Sequence, residues 1–301
     1  MATALYILCP GQGAQTVGMG KPAHDVSPAA RAVFESASRT LGFDLAALCF
    51  TGPEDRLNQT DISQPAIYTT SIASFAQSIE NGLFDAAAVT SYAGLSLGEY
   101  TALHLAGVFS FEQGLKLVAA RGKHMQQAAV ATPSGMVALL GADEPAARDL
   151  CEKSAAGDCL VPANFNAPGQ IVLSGSLVAC QRALAAAEAA GFKATPLKVA
   201  GAFHSPLMQP AADKMKAELA NVNFSLPKRP VYSNVTAQPH TDVQSIKQRL
   251  VEQIVNPVRW DQTMQTLIAS GEARFIELSP GRTLAGLAKR INRRLPVESL
   301  G

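Results

Sequence analysis

Val89-Thr90-Ser91-Tyr92-Ala93-Gly94-Leu95-Ser96-Leu97-Gly98 is the stretch that decides how this 301-residue chain folds. Val89 to Ala93 is a short β-prone run that Gly94 ends, and Leu97 to Val108 has the Ala, Leu, Glu and Tyr content of a helix. Strand, sharp turn and helix in that order form the repeating unit of a parallel α/β sheet. Gly94 to Gly98 also spells GxSxG, whose glycines permit the tight backbone that lifts a serine hydroxyl to a helix N-terminus. Ser96 is therefore the candidate nucleophile, and the Leu97 amide would face an oxyanion formed on its substrate. The five residues alone also fit a purely structural turn; the strand before them and the helix after them favour the nucleophile elbow.

Working outward, Leu5 to Cys9 reads as a strand that ends in Pro10-Gly11-Gln12-Gly13-Ala14-Gln15, where glycines let backbone amides point into a site. Ser63 with Pro65 marks a helix start, the apolar run to Ile79 its body and Asn81-Gly82 its stop. Ser110-Phe111-Glu112-Gln113 is a capping box opening a helix to about Gln127. From Ser134 the rhythm changes. Met136 to Leu140 reads as a strand, and Asp143-Glu144-Pro145 opens a helix that Gly157 closes. Cys159 to Ala163 and Gln170 to Ser174 read as strands, Leu177 to Ala190 as a helix, and Phe192 to Val199 as a strand. This β-α-β-β-α-β order is the ferredoxin-like unit, complete in itself and able to sit as an insert. Segments at Val231 to Ser233, Pro257 to Ala269, Phe275 to Leu278 and Thr283 to Ile291 then complete the sheet begun at the N-terminus. The predicted fold is α/β. An α/β-hydrolase-like catalytic domain with a mostly parallel central sheet takes residues 1–129 and 199–301, and a ferredoxin-like small domain takes residues 130–198.

Composition narrows the function. With 25 Lys and Arg against 24 Asp and Glu, and 48% apolar residues, the chain is an ordinary globular protein with no basic footprint for nucleic acid. Its longest apolar stretches, such as Val130 to Leu140, are too short and too interrupted to span a bilayer. The start, Met1 into Ala4-Leu5-Tyr6-Ile7-Leu8, shows no basic n-region or cleavage site, so a cytoplasmic location is expected. Five cysteines without a CxxC pair argue against a disulfide framework or a zinc site and read as small buried apolar residues. Gly11-Gln12-Gly13 follows a strand, but position 16 is Thr, so the dinucleotide pattern is incomplete, and no GK[ST] phosphate loop exists.

A serine hydroxyl needs a base. Of the five histidines, His24, His104, His124 and His240 lie in helix or loop contexts without unusual neighbours and read as surface or packing residues. His204, in Gly201-Ala202-Phe203-His204-Ser205-Pro206, sits where a strand gives way to a helix, a loop of the kind that lines α/β active sites. Serine before histidine is the hydrolase order, yet Asp143, Asp149 and Asp158 between them all fall inside the insert. A backbone or amide oxygen is expected to orient His204 in place of a triad aspartate. Arg121 lies among Leu117, Val118, Ala119, Ala120 and Gly122; a guanidinium in apolar company wants a fixed anion, and a solvent-facing arginine is the other reading.

Pro10 to Gln15, Gly94 to Tyr100, Arg121-Gly122, Gly201 to Met208 and Gln253 to Trp260 occur in the order found in malonyl-CoA:acyl-carrier-protein transacylases, and the chain resembles that family over nearly its whole length. The resemblance implies Ser96 as acyl-enzyme nucleophile, His204 as general base and acid, and the amides of Gln12 and Leu97 as oxyanion hole. It implies that Arg121 pairs with the malonyl carboxylate and that the main-chain carbonyl of Gln253 positions His204. Phe203, before the base, matches the family's malonyl-selective pattern. Asn164 and Asn166 match its small-domain loop, where substrate contact and turn-stabilising hydrogen bonds both remain open. One departure is Leu95, where many members carry histidine in GHSxG.

The expected reaction moves malonyl from malonyl-CoA to the phosphopantetheine thiol of acyl carrier protein through a serine ester, for fatty acid or polyketide synthesis. It uses no metal or other cofactor. A serine esterase or thioesterase is the alternative in chemistry, and a non-catalytic carrier-protein docking module the alternative in class. Lys289, Arg290, Arg293 and Arg294 form a basic cluster at the last predicted helix, where they either meet an acidic carrier protein or complement the helix dipole.

Overall fold

The computed structural model describes residues 3–300 and contains two four-stranded sheets. Strand β1 (Ala4–Cys9) is followed by helices α1 (Lys21–Val26), α2 (Pro28–Leu41), α3 (Leu45–Thr51), α4 (Glu54–Leu57) and α5 (Thr60–Glu80). Then come β2 (Val89–Gly94), α6 (Gly98–Leu105) and α7 (Phe111–Ala131). The second sheet and its helices are β3 (Ser134–Leu140), α8 (Glu144–Ala155), β4 (Leu160–Ala167), β5 (Gln170–Ser176), α9 (Leu177–Ala189) and β6 (Lys193–Pro196). The chain closes with α10 (Gln209–Ala220), α11 (Val243–Val255), α12 (Trp260–Ala269), β7 (Ala273–Glu277), α13 (Thr283–Ile291) and β8 (Val297–Ser299).

The first sheet has the order β2-β1-β7-β8 and is parallel throughout. Its central strand is buried on both faces, which is why Leu5 to Cys9 is uniformly apolar. Alternate side chains serve different layers. Leu5, Ile7 and Cys9 join the large core built by α2, α5, α6 and α7, while Tyr6 and Leu8 pack with Trp260, Met264, Leu284 and Leu287 from α12 and α13. Helix α7 opens on the Ser110 capping box read from the sequence, with Ser110 and Gln113 satisfying each other's main-chain amides.

The second sheet has the order β4-β5-β3-β6, antiparallel throughout, and covers its own core with α8 and α9. It is stitched to the rest: the Phe165 amide donates to the Val258 carbonyl and the Val258 amide to the Ala163 carbonyl, both at 2.9 Å. The α/β architecture with a parallel central sheet and a separate antiparallel sheet is as expected. The elements of the second sheet run from Ser134 to Pro196, inside the borders read at 130 and 198.

Several boundaries differ. Helix α5 begins at Thr60, before Ser63, because the Ser63 amide already bonds the Gln59 carbonyl, and Pro65 lies inside the helix. Val231 to Ser233 makes single bridges, Tyr92 to Val231 and Tyr232 to Pro239, instead of a strand. The strand expected at Phe192 to Val199 is confined to Lys193–Pro196, pairing only with β3. Asn164 to Asn166 is no loop: it lies inside β4, with irregular pairing to β5 on either side. No helix among the described residues is long and apolar enough to cross a membrane.

Candidate active site

The elbow follows from contacts that only glycine allows. A Cβ on Gly98 would stand 2.1 Å from the Cys9 carbonyl oxygen, and one on Gly94 would stand 2.0 Å from the Gly98 carbonyl carbon. With both positions bare, α6 can start directly against the end of β1, and Ser96 is driven to φ 53°. A left-handed serine costs about 1–2 kcal/mol. Fixed bonds offset it: the Ser96 amide donates to Asn234 Oδ1 at 2.5 Å, and Asn234 Nδ2 donates to the Gly94 carbonyl at 2.7 Å.

His204 also has a positive φ, 58°, in the turn before α10. Its Nδ1 lies 2.7 Å from the Gln253 carbonyl oxygen at the end of α11, and its Nε2 lies 2.8 Å from Ser96 Oγ. A carbonyl oxygen can only accept, so Nδ1 carries the proton and Nε2 is free to take one from the serine. Burial, then the nearby charge of Arg121, pushes the imidazole down from 6.5 to about 4, and the bond to Gln253 opposes them. The base is neutral at neutral pH.

Arg121 on α7 is 1% exposed. Gly122 brings its helix against α5, since a Cβ there would meet the Thr60 carbonyl oxygen at 2.5 Å. Nη1 donates to Gln64 Oε1 at 2.7 Å, and Nη2 donates to Gln253 Oε1 at 2.9 Å and to Ser96 Oγ at 3.0 Å. The Tyr100 ring lies 5.6 Å from the guanidinium carbon, and Nε has no partner among the described residues. Every hydrogen-bond acceptor is neutral. The solvent-facing reading of Arg121 is thus wrong: α7 packs its apolar neighbours inward and carries the guanidinium with them.

Behind this constellation sits Glu99, fully buried, which sequence reasoning missed. Its Oε2 accepts from Gln253 Nε2 at 2.7 Å and from the Asn234 amide at 3.0 Å, and Oε1 lies 2.8 Å from His240 Nε2. Asn234, Gln64 and His240 were missed as well. An acidic residue in the first turn of a helix reads as an ordinary dipole complement, so Glu99 carries no local signal, and its partners lie far away in sequence. His240, read as unremarkable, is buried against Glu99.

A cavity of about 520 Å³ opens above Ser96 between the two sheets. Gln12, Leu95, Arg121, Phe203 and His204 line it from one side, Asn164, Asn166 and Gln170 from the other. The Gln12 and Leu97 main-chain amides donate to no other described residue, which leaves both free for a ligand oxygen. Because Asn164 and Asn166 lie in a strand, the turn-stabilising reading fails for them; Asn166 Oδ1 is buried without a partner among the described residues, as is Gln170 Oε1, which the sequence did not single out. Leu95 packs with the apolar layer of α12 and α13, so its side chain adds wall, not chemistry. In the basic cluster only Lys289 and Arg290 belong to α13; Arg293 and Arg294 follow in the turn, and all four are exposed. The five cysteines are free, and no cluster of three or more His, Cys, Asp or Glu poised for a metal occurs among the described residues.

Residues 6–297 match the acyl transferase domain family. The chain belongs to that family. The acyl transferase is 43% identical over 290 residues to the malonyl CoA-acyl carrier protein transacylase of Salmonella typhimurium, covering 96% of this chain and 93% of that one. Among solved structures it resembles the malonyl CoA-acyl carrier protein transacylase of Coxiella burnetii, with TM-score 0.95, 38% identity, and 99% and 94% of the two chains covered. It also resembles a malonyl-transacylase in complex with its type II PKS acyl-carrier protein, with TM-score 0.93, 39% identity, and 99% and 96% covered.

Proposed function

We propose that this acyl transferase moves malonyl from malonyl-CoA to the phosphopantetheine thiol of an acyl carrier protein. The observation that carries the reading is the buried Arg121 guanidinium, bonded to the nucleophile's own oxygen and lacking any carboxylate among its direct partners. A desolvated cation in that position wants an anion on the acyl group, and the malonyl carboxylate supplies one as a bidentate partner.

Ser96 Oγ attacks the thioester carbonyl while its proton passes to His204 Nε2. The oxygen that gains charge faces the Gln12 and Leu97 amides. Collapse breaks the carbon–sulfur bond, and the sulfur takes the proton from His204, so coenzyme A leaves as the thiol and the imidazole is neutral again. In the second half the carrier-protein thiol gives its proton to His204 and attacks the serine ester; the carbon–oxygen bond breaks and Ser96 recovers the proton. Every proton and electron pair is accounted for by these residues and two thiols, so the reaction draws on no metal or redox cofactor. Coenzyme A and phosphopantetheine are substrates. Phe203 narrows the space beside the α-carbon and favours malonyl over branched groups; Asn164 and Asn166 face the acyl arm from the second sheet. We place the enzyme in the cytoplasm, serving fatty acid or polyketide synthesis, with no membrane or nucleic-acid partner.

The test is kcat/KM for malonyl-, methylmalonyl- and acetyl-CoA in wild type and Arg121→Ala. Malonyl transfer should lose roughly 2–5 kcal/mol of transition-state stabilisation, the cost of stranding a buried charge, whereas slow acetyl transfer should persist. Equal losses on all three would mean that Arg121 supports the fold and does not read the carboxylate.

A further inference from the structure

Outside the reacting groups, one side chain touches the supports of both. Glu99 stands in the first turn of α6, wholly buried, and its Oε2 accepts two hydrogen bonds at once. One comes from Gln253 Nε2, whose own main-chain carbonyl fixes the proton on His204 Nδ1. The other comes from the main-chain amide of Asn234, whose side chain takes the amide of the strained Ser96. Gln253 Nε2 also donates to the Ser96 carbonyl at 3.0 Å, and Gln253 Oε1 accepts from Arg121. His240 braces the second carboxylate oxygen from behind, 2.8 Å away.

We infer that Glu99 is a positioning residue of the transferase: through Asn234 it holds Ser96 in its left-handed turn, and through Gln253 it holds the carbonyl that aims His204. The inference rests on the serine-transfer reading above. Catalytic groups displaced by about 1 Å lose on the order of 10² in rate; Gln253 and Arg121 also bridge the two halves, and Glu99 anchors that bridge by accepting from Gln253 Nε2 and the Asn234 amide on one oxygen. The reach of the carboxylate oxygen carries the role, because both donors that meet Oε2 are neutral amides.

Glu99→Gln keeps the reach and loses the charge; Glu99→Asp keeps the charge and loses one methylene of reach. Each is measured for thermal melting, for kcat and KM with malonyl-CoA and carrier protein, and for the rate at which a fluorophosphonate labels Ser96. The expected result is kcat within about fivefold of wild type for Glu99→Gln, and a loss on the order of 10²-fold for Glu99→Asp with KM for malonyl-CoA nearly unchanged; fluorophosphonate labelling should follow kcat. Equal activity of both variants with wild type, a better Asp than Gln variant, or a loss that appears only in KM would overturn the inference. Should Glu99→Asp not fold, Glu99→Ala is measured beside Glu99→Gln: Gln within about fivefold of wild type with Ala down on the order of 10²-fold upholds the inference, and any other result overturns it. Fluorophosphonate labelling needs no malonyl group, so a wild type that labels on Ser96 yet takes no malonyl sinks the substrate reading and leaves the anchor standing to be judged by labelling.

Discussion

Burial and the guanidinium of Arg121 hold the His204 imidazole near 4, where an exposed histidine would titrate at 6.5. The active form is neutral, so activity is retained above the folded value and lost as pH falls through it. Acylation of Ser96 under single-turnover conditions should therefore be flat from about pH 8 to about pH 5.5 and fall only toward pH 4. A limb centred near 6.5 would show a solvated base and contradict the buried dyad. The linkage has the same direction: the neutral His204 favours the folded state above about 6.5, and that contribution fades as pH falls from there through about 4. Ser96, His204, Gln12 and Arg121 were legible because each sits in a glycine- or proline-marked turn or in apolar company that demands a reason. Glu99, Asn234 and Gln64 were not, since what marks them is burial beside partners remote in sequence: 135 residues separate Asn234 from Glu99.

At the scale of elements, α13 joins two surfaces. Thr283 and Leu287 in its first two turns line the cavity, while Lys289, Arg290 and the following Arg293 and Arg294 stand exposed at its far end. A carrier protein that threads its arm into the cavity would lie over that end, and its acidic surface would meet the cations. Replacing all four with glutamine should raise KM for carrier protein severalfold at low salt and less at high salt. The rate of Ser96 acylation by malonyl-CoA should barely change. An unmoved KM would remove this end of α13 from the docking surface. Elements whose ends are set by local chemistry were readable: α7 from its capping box and α6 from the elbow glycines. Others were set by distant contacts. β4 runs on through Asn164 to Ala167 because β5 and Val258 pair with it from both sides, and β6 ends at Pro196, opposite Val137, with one further bond from the Leu197 amide to the Met136 carbonyl. Helices α1, α3 and α4 span only four to seven residues, too short for a periodic pattern, whereas α2 carries the signals of a helix, a Ser27 cap, an apolar face at Ala30, Phe34 and Ala37 and a Gly42 stop, that the sequence reading passed over.

For the whole molecule, the order of elements sufficed to separate a parallel sheet from an inserted antiparallel one, because crossover helices and hairpins follow chain order. What order could not show is how closely the two are joined. Val258 pairs with β4, and Ser174 Oγ donates to the Phe203 carbonyl at 2.7 Å, so the residue before the base is tied to the second sheet. The cavity is the gap this union leaves, with the nucleophile on its floor and the cation beside it. Asn164, Asn166 and Gln170 of the second sheet wall the cavity opposite Ser96, so an acyl group on the serine would lie between the two sheets. Central to the proposed transfer is a covalent malonyl-serine. The most direct measurement is intact-protein and peptide mass spectrometry after mixing with malonyl-CoA, followed by addition of acyl carrier protein bearing phosphopantetheine. The expected result is one malonyl group on the peptide containing Ser96, absent in Ser96→Ala, and its passage to the carrier protein in near-stoichiometric yield. A malonyl group on any other residue, or free malonate in place of malonyl carrier protein, would contradict it.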